Sequence, residues 1–258
     1  MNSDLLGKLL ASRKYRDICP DTVRRIWDAC QRRYKRPKDA EKAAREALHG
    51  ITGAFMTPRE VALLADDMRA WHADQTDAGL ERMLSRHAST RERLPLADTD
   101  ALYGRLFEVT GRPQSMLDLA CGINPLYLGA RGIRTTGIDI SGQAVASINT
   151  FASSYGMPVS AVCADLLCPG AIPAERFNVA LLFKLLPLLE RQRAGAAMDV
   201  MSAVDADFMA VSFPTRTLGG RNVGMAAQYA AWMEGHIPEG RTTVGRFETE
   251  NELFYVLS

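Results

Sequence analysis

The sequence of 258 residues has no run approaching the roughly 20 continuous apolar residues that a membrane span requires. Asp4, Lys8, Arg13 and Lys14 interrupt the first fifteen residues, which excludes the apolar core of a secretory signal there. A cytoplasmic protein is expected. Cysteine occurs only five times, at Cys19, Cys30, Cys121, Cys163 and Cys168, with neither a CxxC pair nor a Cys/His spacing suited to zinc. That pattern predicts reduced thiols and no metal. Also missing is the G-x-G-x-x-G fingerprint that seats a dinucleotide pyrophosphate. What is present is globular: 47% apolar and 24% charged residues suffice for one large domain, or a core domain with a smaller extension.

The net charge of +1 conceals an asymmetry. Residues 1–50 carry 13 Lys and Arg against 7 Asp and Glu, residues 51–100 carry 6 against 9, and the remainder 12 against 14. The basic end holds Arg13, Lys14, Arg16, Arg24, Arg25, Arg32, Arg33, Lys35, Arg36 and Lys38, with Tyr15 and Tyr34 interleaved. A field of that density suits a phosphate backbone. The plainer alternative is an ordinary solvated helix surface.

The first hundred residues read as helical. After Pro20-Asp21, the apolar set Val23, Ile26, Trp27, Cys30 and Tyr34 recurs at helical spacing, so Arg24, Arg25, Arg32 and Arg33 fall off the buried stripe and are free to bind. Thr57-Pro58-Arg59-Glu60 is a capping box with proline at the first helical position, continued by Val61, Leu64, Ala65 and Met68. A further helix is expected to carry Leu80, Met83 and Leu84. His87 to Leu94 packs polar groups together and, taken alone, reads as a capped helix start before a helix with Leu102, Leu106 and Phe107. The expected division is a basic helical subdomain over 1–97 and a nucleoside-binding domain over 98–258.

From residue 115 strands and helices alternate. Strands are predicted at Met116–Leu119, Thr135–Ile140, Val159–Cys163, Val179–Phe183, Phe208–Phe213, Thr243–Glu248 and Leu253–Leu257, with helical segments between the first five. The last two are separated only by Thr249-Glu250-Asn251, which leaves no room for a crossover helix, so they pair antiparallel at one end of the sheet. That ending favours a methyltransferase over a nicotinamide dehydrogenase.

Ligands in such sheets bind beyond the carboxyl ends of the strands, where strand order reverses. Three predicted strand ends carry acids. Asp118 closes the first strand, and Ala120 and Gly122 leave the following backbone open to close approach, with Asn124 placed to cap a helix that begins at Pro125. Asp139 closes the second strand near the offset of about 20 residues at which an acid takes ribose hydroxyls. Asp165 follows the third, where a carboxylate can accept from an adenine amino group. Taken singly, each reads first as a helix cap or turn residue. Three in successive register point to a pocket. The turn Ala-Cys-Gly-Ile-Asn-Pro offers no pyrophosphate seat, whereas S-adenosyl-L-methionine has no phosphate and brings a cationic end that suits Asp118.

Lys184 ends the fourth strand, where many enzymes that methylate amines or bases place an acidic or amide tetrad. A ring nitrogen with a free lone pair, such as guanine N7, needs no deprotonation, so no general base is required and positioning can dominate. Beyond the fifth strand, the loop from Ser212 to Arg221 is basic and contains two glycines, and it reads as a grip for a phosphate or flipped nucleotide or as a solvated connection. Lys184, Ser212 and Arg216 are the candidates for the target side, with Lys184 assigned to target-phosphate or local structural contacts and not to proton transfer. Arg221 joins Arg216 as a candidate contact to the nucleic acid.

These residues closely resemble the aminoglycoside-resistance 16S ribosomal RNA methyltransferases of the Rmt/Arm type, which modify guanine N7 at position 1405 of the decoding site. The resemblance covers essentially the whole chain. It is carried by Leu10–Arg16, Cys19–Val23, Leu48-His49-Gly50, His87–Leu94, Asp118–Pro125, Phe183–Arg191 and Ser212–Arg221, with Ile123 where leucine is usual. It implies a Rossmann-like class I fold with a mostly parallel seven-stranded sheet and an N-terminal helical subdomain. It also implies a cofactor, S-adenosyl-L-methionine with S-adenosyl-L-homocysteine as product, held by Phe55, His87, Ala88, Ser89, Arg93, Ala120, Gly122, Asp139, Asp165, Leu166, Phe183 and Gln192. Arg93 would pair with the cofactor carboxylate. The basic field at Lys14, Arg16, Arg24 and Arg25 would dock on the 30S subunit, with the enzyme acting as a monomer without membrane or DNA.

Two other classes stay open on the residues alone. A methyltransferase of another RNA or a small molecule would share the pocket, though a small-molecule enzyme would not need the basic helices. A non-catalytic ribosome-binding protein would not need three aligned acids.

Overall fold

A computed structural model describes residues 2–52, 55–215 and 225–258. Seven helices come first: α1 (Asn2–Ala11), α2 (Pro20–Arg33), α3 (Pro37–Thr52), α4 (Pro58–Asp74), α5 (Asp77–Leu84), α6 (Ala88–Arg91) and α7 (Leu96–Thr110). Alternation then begins with β1 (Met116–Leu119), α8 (Asn124–Ala130), β2 (Thr135–Asp139), α9 (Gly142–Tyr155), β3 (Val159–Cys163) and β4 (Phe177–Phe183). It continues with α10 (Leu186–Gln192), α11 (Ala196–Ala203), β5 (Ala206–Pro214), α12 (Met225–Glu234), β6 (Thr243–Glu248) and β7 (Glu252–Leu257). Every expected strand is present, and β4 and β5 each start two residues earlier than their apolar runs suggest.

The sheet order is β3-β2-β1-β4-β5-β7-β6. Strands β1 to β5 run parallel, and β7 pairs antiparallel with both β5 and β6. The expected terminal hairpin therefore forms, with β7 inserted inside β6. Strand order reverses between β1 and β4, which sets the binding crevice at their carboxyl ends.

Alternating side chains divide the core into two layers. Met116, Val179, Leu181, Ala210, Phe254 and Val256 face one side, whereas Leu117, Ala180, Leu182, Val211, Leu253 and Tyr255 face the other. Helices α10 to α12 cover the second side with Leu186, Leu189, Val200, Met201 and Met233. The first side is covered by α7, α8 and α9, and also by α4 and α5 through Leu64, Met68, Trp71, Leu80, Met83 and Leu84. Among the described residues, only α1 to α3 with the segment between α1 and α2 have a core of their own, built on Leu9, Tyr15, Val23, Ile26, Trp27, Ala44 and Leu48. The apolar cores thus divide near residue 52, not at the expected boundary of 97, because α4 and α5 bury their stripes against the sheet domain. Tyr15 belongs to that small core, at 2% exposure, while Lys14 and Arg45 lie over its ring at 5.6 and 6.0 Å, so it stands within the basic field as expected; Tyr34 lies past the end of α2. The capping box of α4 forms as expected, with Thr57 and Glu60 bonded reciprocally.

A polar seam joins the small helical unit to the end of β2. The Cys19 N–H donates to the Ile140 carbonyl at 2.8 Å, and the Gly142 N–H donates to the Asp17 carbonyl at 2.7 Å. Gln143 Nε2 donates to the Asp17 carboxylate at 2.9 Å. Glycine is required at position 142, since a Cβ there would lie 2.9 Å from the Asp17 carbonyl oxygen.

Candidate active site

The chain turns left-handed just after β1 and just after β4, on the two sides of the point where strand order reverses. Ala120 has φ 56°, Gly122 φ 53° and Lys184 φ 54°. Two non-glycine residues in that region mark backbone held by its surroundings, as is common at functional sites. A cleft of about 390 Å³ opens there, lined by strand-end residues and by α2 and the α3–α4 connection.

Asp139 is fixed by its own neighbourhood. Its two carboxylate oxygens accept from the Gly122 N–H at 2.8 Å and the Ser141 N–H at 2.7 Å, and each keeps a lone pair for a further donor. Burial pushes its carboxyl above the usual carboxylate range, against those backbone donors. The His87 ring packs over Gly122, where a Cβ would come within 2.6 Å of the imidazole, and stacks on Phe55 at 5.6 Å between centroids. His87 caps α6, its Nδ1 accepting from the Ser89 N–H at 3.3 Å. Burial, together with the Arg93 charge, lowers this imidazole to about 4, so it is neutral at pH 7. Ala88 ties that cap to Phe55 by donating its N–H to the Phe55 carbonyl at 2.9 Å.

The far wall is made by Asp165, Leu166, Phe183, Leu188, Leu189 and Gln192, all of which line the cleft. Asp165 accepts from the Leu167 N–H at 2.9 Å and from Arg25 Nε at 2.9 Å. Arg25 Nη2 also donates to Gln192 Oε1 at 2.7 Å. Arg25, expected to contact RNA, therefore points into the cleft, because α2 docks with this face on the end of β3. Arg16 and Arg24 keep outward positions beside Asp17 and Asp21, and Lys14 is exposed.

Beneath the cleft lies a charge network centred on the buried Glu252. Arg93 donates through Nε and Nη2 to the two carboxylate oxygens of Glu252 at 2.8 and 3.2 Å, and its guanidinium lies 4.7 Å from the centre of the Phe183 ring. Lys184 pairs with Glu92 and lies 3.3 Å from Glu252, while the Ser212 hydroxyl donates to Glu252 at 2.6 Å. Burial would raise the Glu252 carboxyl, but Arg93 and Lys184 outweigh it and hold the group below the usual carboxylate range. Arg93, expected to take a cofactor carboxylate, thus gives two of its donor nitrogens to Glu252. Ser212 has no exposed surface, which removes it from the target side. Lys184, also expected there, does line the cleft, with its ammonium held inward.

Asp118 likewise departs from expectation. It is 2% exposed and accepts from Asn124 Nδ2 at 2.6 Å, and burial raises its carboxyl to about 7. Asn124 does not cap α8; Ile123 holds that position and the Asn124 amide instead joins Asp118 to the Tyr103 hydroxyl at 2.8 Å. The acid therefore braces the turn from below. Arg216 and Arg221, with the loop between them, lie outside the described residues.

Thr22, Glu92 and Glu252 are the site residues that sequence reasoning missed, and Arg25 was expected on the RNA-facing side instead. An acid opening the otherwise apolar run Glu252–Leu257 was a usable signal for Glu252. Nothing near Arg25 in the sequence marks its partners, which lie 140 and 167 positions away.

The donor set fits an adenosyl cofactor. A carboxylate anchored by backbone after β2 suits vicinal hydroxyls, a carboxylate beside an amide suits an aminopurine edge, and Leu166, Phe183, Leu188 and Leu189 provide apolar walls. The cleft also shares Lys14 and His49 with a net basic groove in which Lys38, Lys42 and Arg45 of α3 stand beside Glu41 and Glu46.

Comparison with known proteins agrees with this geometry. The chain is 44% identical to a 16S rRNA (guanine(1405)-N(7))-methyltransferase of Serratia marcescens, covering 99% of this chain and 97% of that one. It is 37% identical to an enzyme of the same name from Frankia casuarinae, covering 95% and 89%. The crystal structure of the 16S rRNA methyltransferase RmtF in complex with S-adenosyl-L-homocysteine superposes with a TM-score of 0.90 at 43% identity, covering 100% of this chain and 97% of that one. Residues 11–256 match the family described as ribosomal RNA methyltransferase (FmrO), and with a methyl-donor fold, a fitting cleft and relatives along its whole length, the chain belongs to that family.

Proposed function

We propose that this protein transfers a methyl group from S-adenosyl-L-methionine to N7 of guanine 1405 in 16S rRNA of the 30S subunit, giving resistance to aminoglycosides of the kanamycin and gentamicin class. The observation that carries the reading is the shared wall of Lys14 and His49, through which the cleft continues into the basic groove. Lys14, Arg16 and Arg24 serve as contacts to the phosphate backbone, and Arg216 and Arg221 act at the target side. The enzyme works as a monomer in the cytoplasm, on RNA and not on DNA.

When bound, the cofactor supplies an electrophilic methyl group. Asp139 takes ribose hydroxyls, Asp165 and Gln192 hold the base edge, and His87 with Phe55 closes the side over Gly122. Guanine N7 presents its own lone pair, so no residue removes a proton and the protein contributes positioning and exclusion of water. The engagement of Lys184 with Glu92 and Glu252 supports this, since its ammonium orders the floor of the cleft. N7 methylation leaves a cationic purine without its major-groove acceptor, so a polycationic drug loses a hydrogen bond and meets like charge.

The test is to incubate the purified protein with 30S subunits and cofactor, then map the RNA by borohydride–aniline cleavage and primer extension. A new stop at guanine 1405, with growth of expressing cells on gentamicin, is expected. Subunits left uncleaved at that guanine would overturn the proposal.

A further inference from the structure

We propose that Arg25 is a positioning residue of the cofactor subsite: from the N-terminal helical unit it orients Asp165 and Gln192 for the aminopurine end of the methyl donor. The inference rests on the reading of the cleft as the cofactor pocket. It gives the basic unit a second task besides facing the target.

The geometry is that of a fork. Arg25 lies 2.9 Å from Asp165 through Nε and again through Nη2, and 2.7 Å from Gln192 Oε1 through Nη2. The other Asp165 oxygen accepts from the Leu167 N–H, so both ends of the carboxylate are held and its plane cannot turn. Gln192 is fixed in the same way. Its oxygen accepts from Arg25, and one N–H donates to the Leu188 carbonyl at 3.3 Å, which leaves a second N–H to offer. A carboxylate acceptor beside an amide donor is complementary to an amino group beside a ring nitrogen. Without the guanidinium the amide is free to flip and the buried carboxylate loses its counter-charge.

A phosphate-binding arginine has no need of these contacts. Arg24, its neighbour on α2, has a side chain 52% exposed and pairs with Asp21, whereas the Arg25 side chain is 24% exposed and its partner Asp165 only 4%. One turn earlier on the same helix, Thr22 is fully buried among the residues that line the cleft, and its hydroxyl has no hydrogen-bond partner among the described residues. Thr22 and Arg25 of α2 therefore both belong to the lining of the cleft.

The experiment is calorimetry with S-adenosyl-L-homocysteine on the full chain and on Arg25→Ala, Arg25→Lys, Asp139→Asn and the surface variant Arg69→Ala. Binding to 30S subunits and thermal unfolding without cofactor are measured alongside. Arg25→Ala is expected to weaken the ligand by about tenfold or more, because it leaves a buried acceptor unpaired. Arg25→Lys is expected to fall between, since an ammonium restores the charge but not the fork. Arg69→Ala is expected to bind as the parent does, and subunit binding by Arg25→Ala to stay within about twofold. Unchanged ligand affinity in both Arg25 variants overturns the proposal, whether unfolding temperature falls, marking a merely structural residue, or subunit binding falls, returning Arg25 to the target face. If Asp139→Asn is also without effect, the reading of the cleft fails with it; if Asp139→Asn weakens binding, the assignment of Arg25 alone is lost.

Discussion

Two arginine–carboxylate pairs hold the cleft, one under its floor and one in its wall. Arg93 and Glu252 are separated by 159 positions and sealed, with side chains 6% and 1% exposed. Arg25 and Asp165 are separated by 140 positions, and the arginine side chain, which lines the cleft, is 24% exposed. The same chemistry has different consequences in the two places. In the floor, Ser212 and Lys184 join Arg93 around Glu252, so that carboxylate has nothing left over for a ligand. In the wall, the pairing leaves lone pairs and an amide N–H directed at the cleft, so the same ion pair acts as a template.

The comparison breaks most easily at the floor. Arg93→Ala leaves Glu252 buried with only part of its counter-charge, and a loss of roughly 3–5 kcal/mol in denaturant unfolding is expected. A loss below about 1 kcal/mol would mean that the floor is not sealed. At the rim, Gly122→Ala forces a side chain onto a left-handed backbone and into the His87 ring, at an expected cost of about 1–3 kcal/mol together with weakened binding of S-adenosyl-L-homocysteine. Equal affinity would show that the His87–Phe55 stack is not part of the pocket.

A smaller effect comes from pH. His87 titrates at about 4 when folded and at 6.5 when unfolded, so between these values the unfolded chain takes up a proton that the folded chain refuses. Stability therefore falls as pH drops from 6.5 toward 4. His87→Gln is expected to flatten that slope in unfolding measured at pH 7 and pH 5; an identical slope would place the acid sensitivity elsewhere. Arg24→Ala is expected to change least. It is expected to leave the unfolding midpoint in place, as exposed pairs contribute little, while lowering the slope of log affinity for 30S subunits against log salt by about one. An unchanged slope would remove Arg24 from the docking surface.

Much of the fold was legible. Seven strands, the closing hairpin and the α4 capping box follow from two-residue and 3.6-residue periodicity and from turn residues, which act within a few positions of the chain. Asp139 and Gly122 were legible for the same reason, since the carboxylate is held by amides at the ends of its own strand and its neighbour. Asn124 was misread because the cap rule weighs only local partners, and a buried carboxylate at Asp118 competed for the amide and won. Arg25 and Ser212 were misread because helical phase and loop composition show which residues are polar but not which face a second element will cover.

The sequence by itself determined the order of elements and the acids at the strand ends, because these depend on periodicity and short-range hydrogen bonding. Only the tertiary structure decided which charges were sealed and which faced the cleft. Desolvation depends on what packs against a group, and for Arg25 and Arg93 the elements that pack lie more than a hundred residues away.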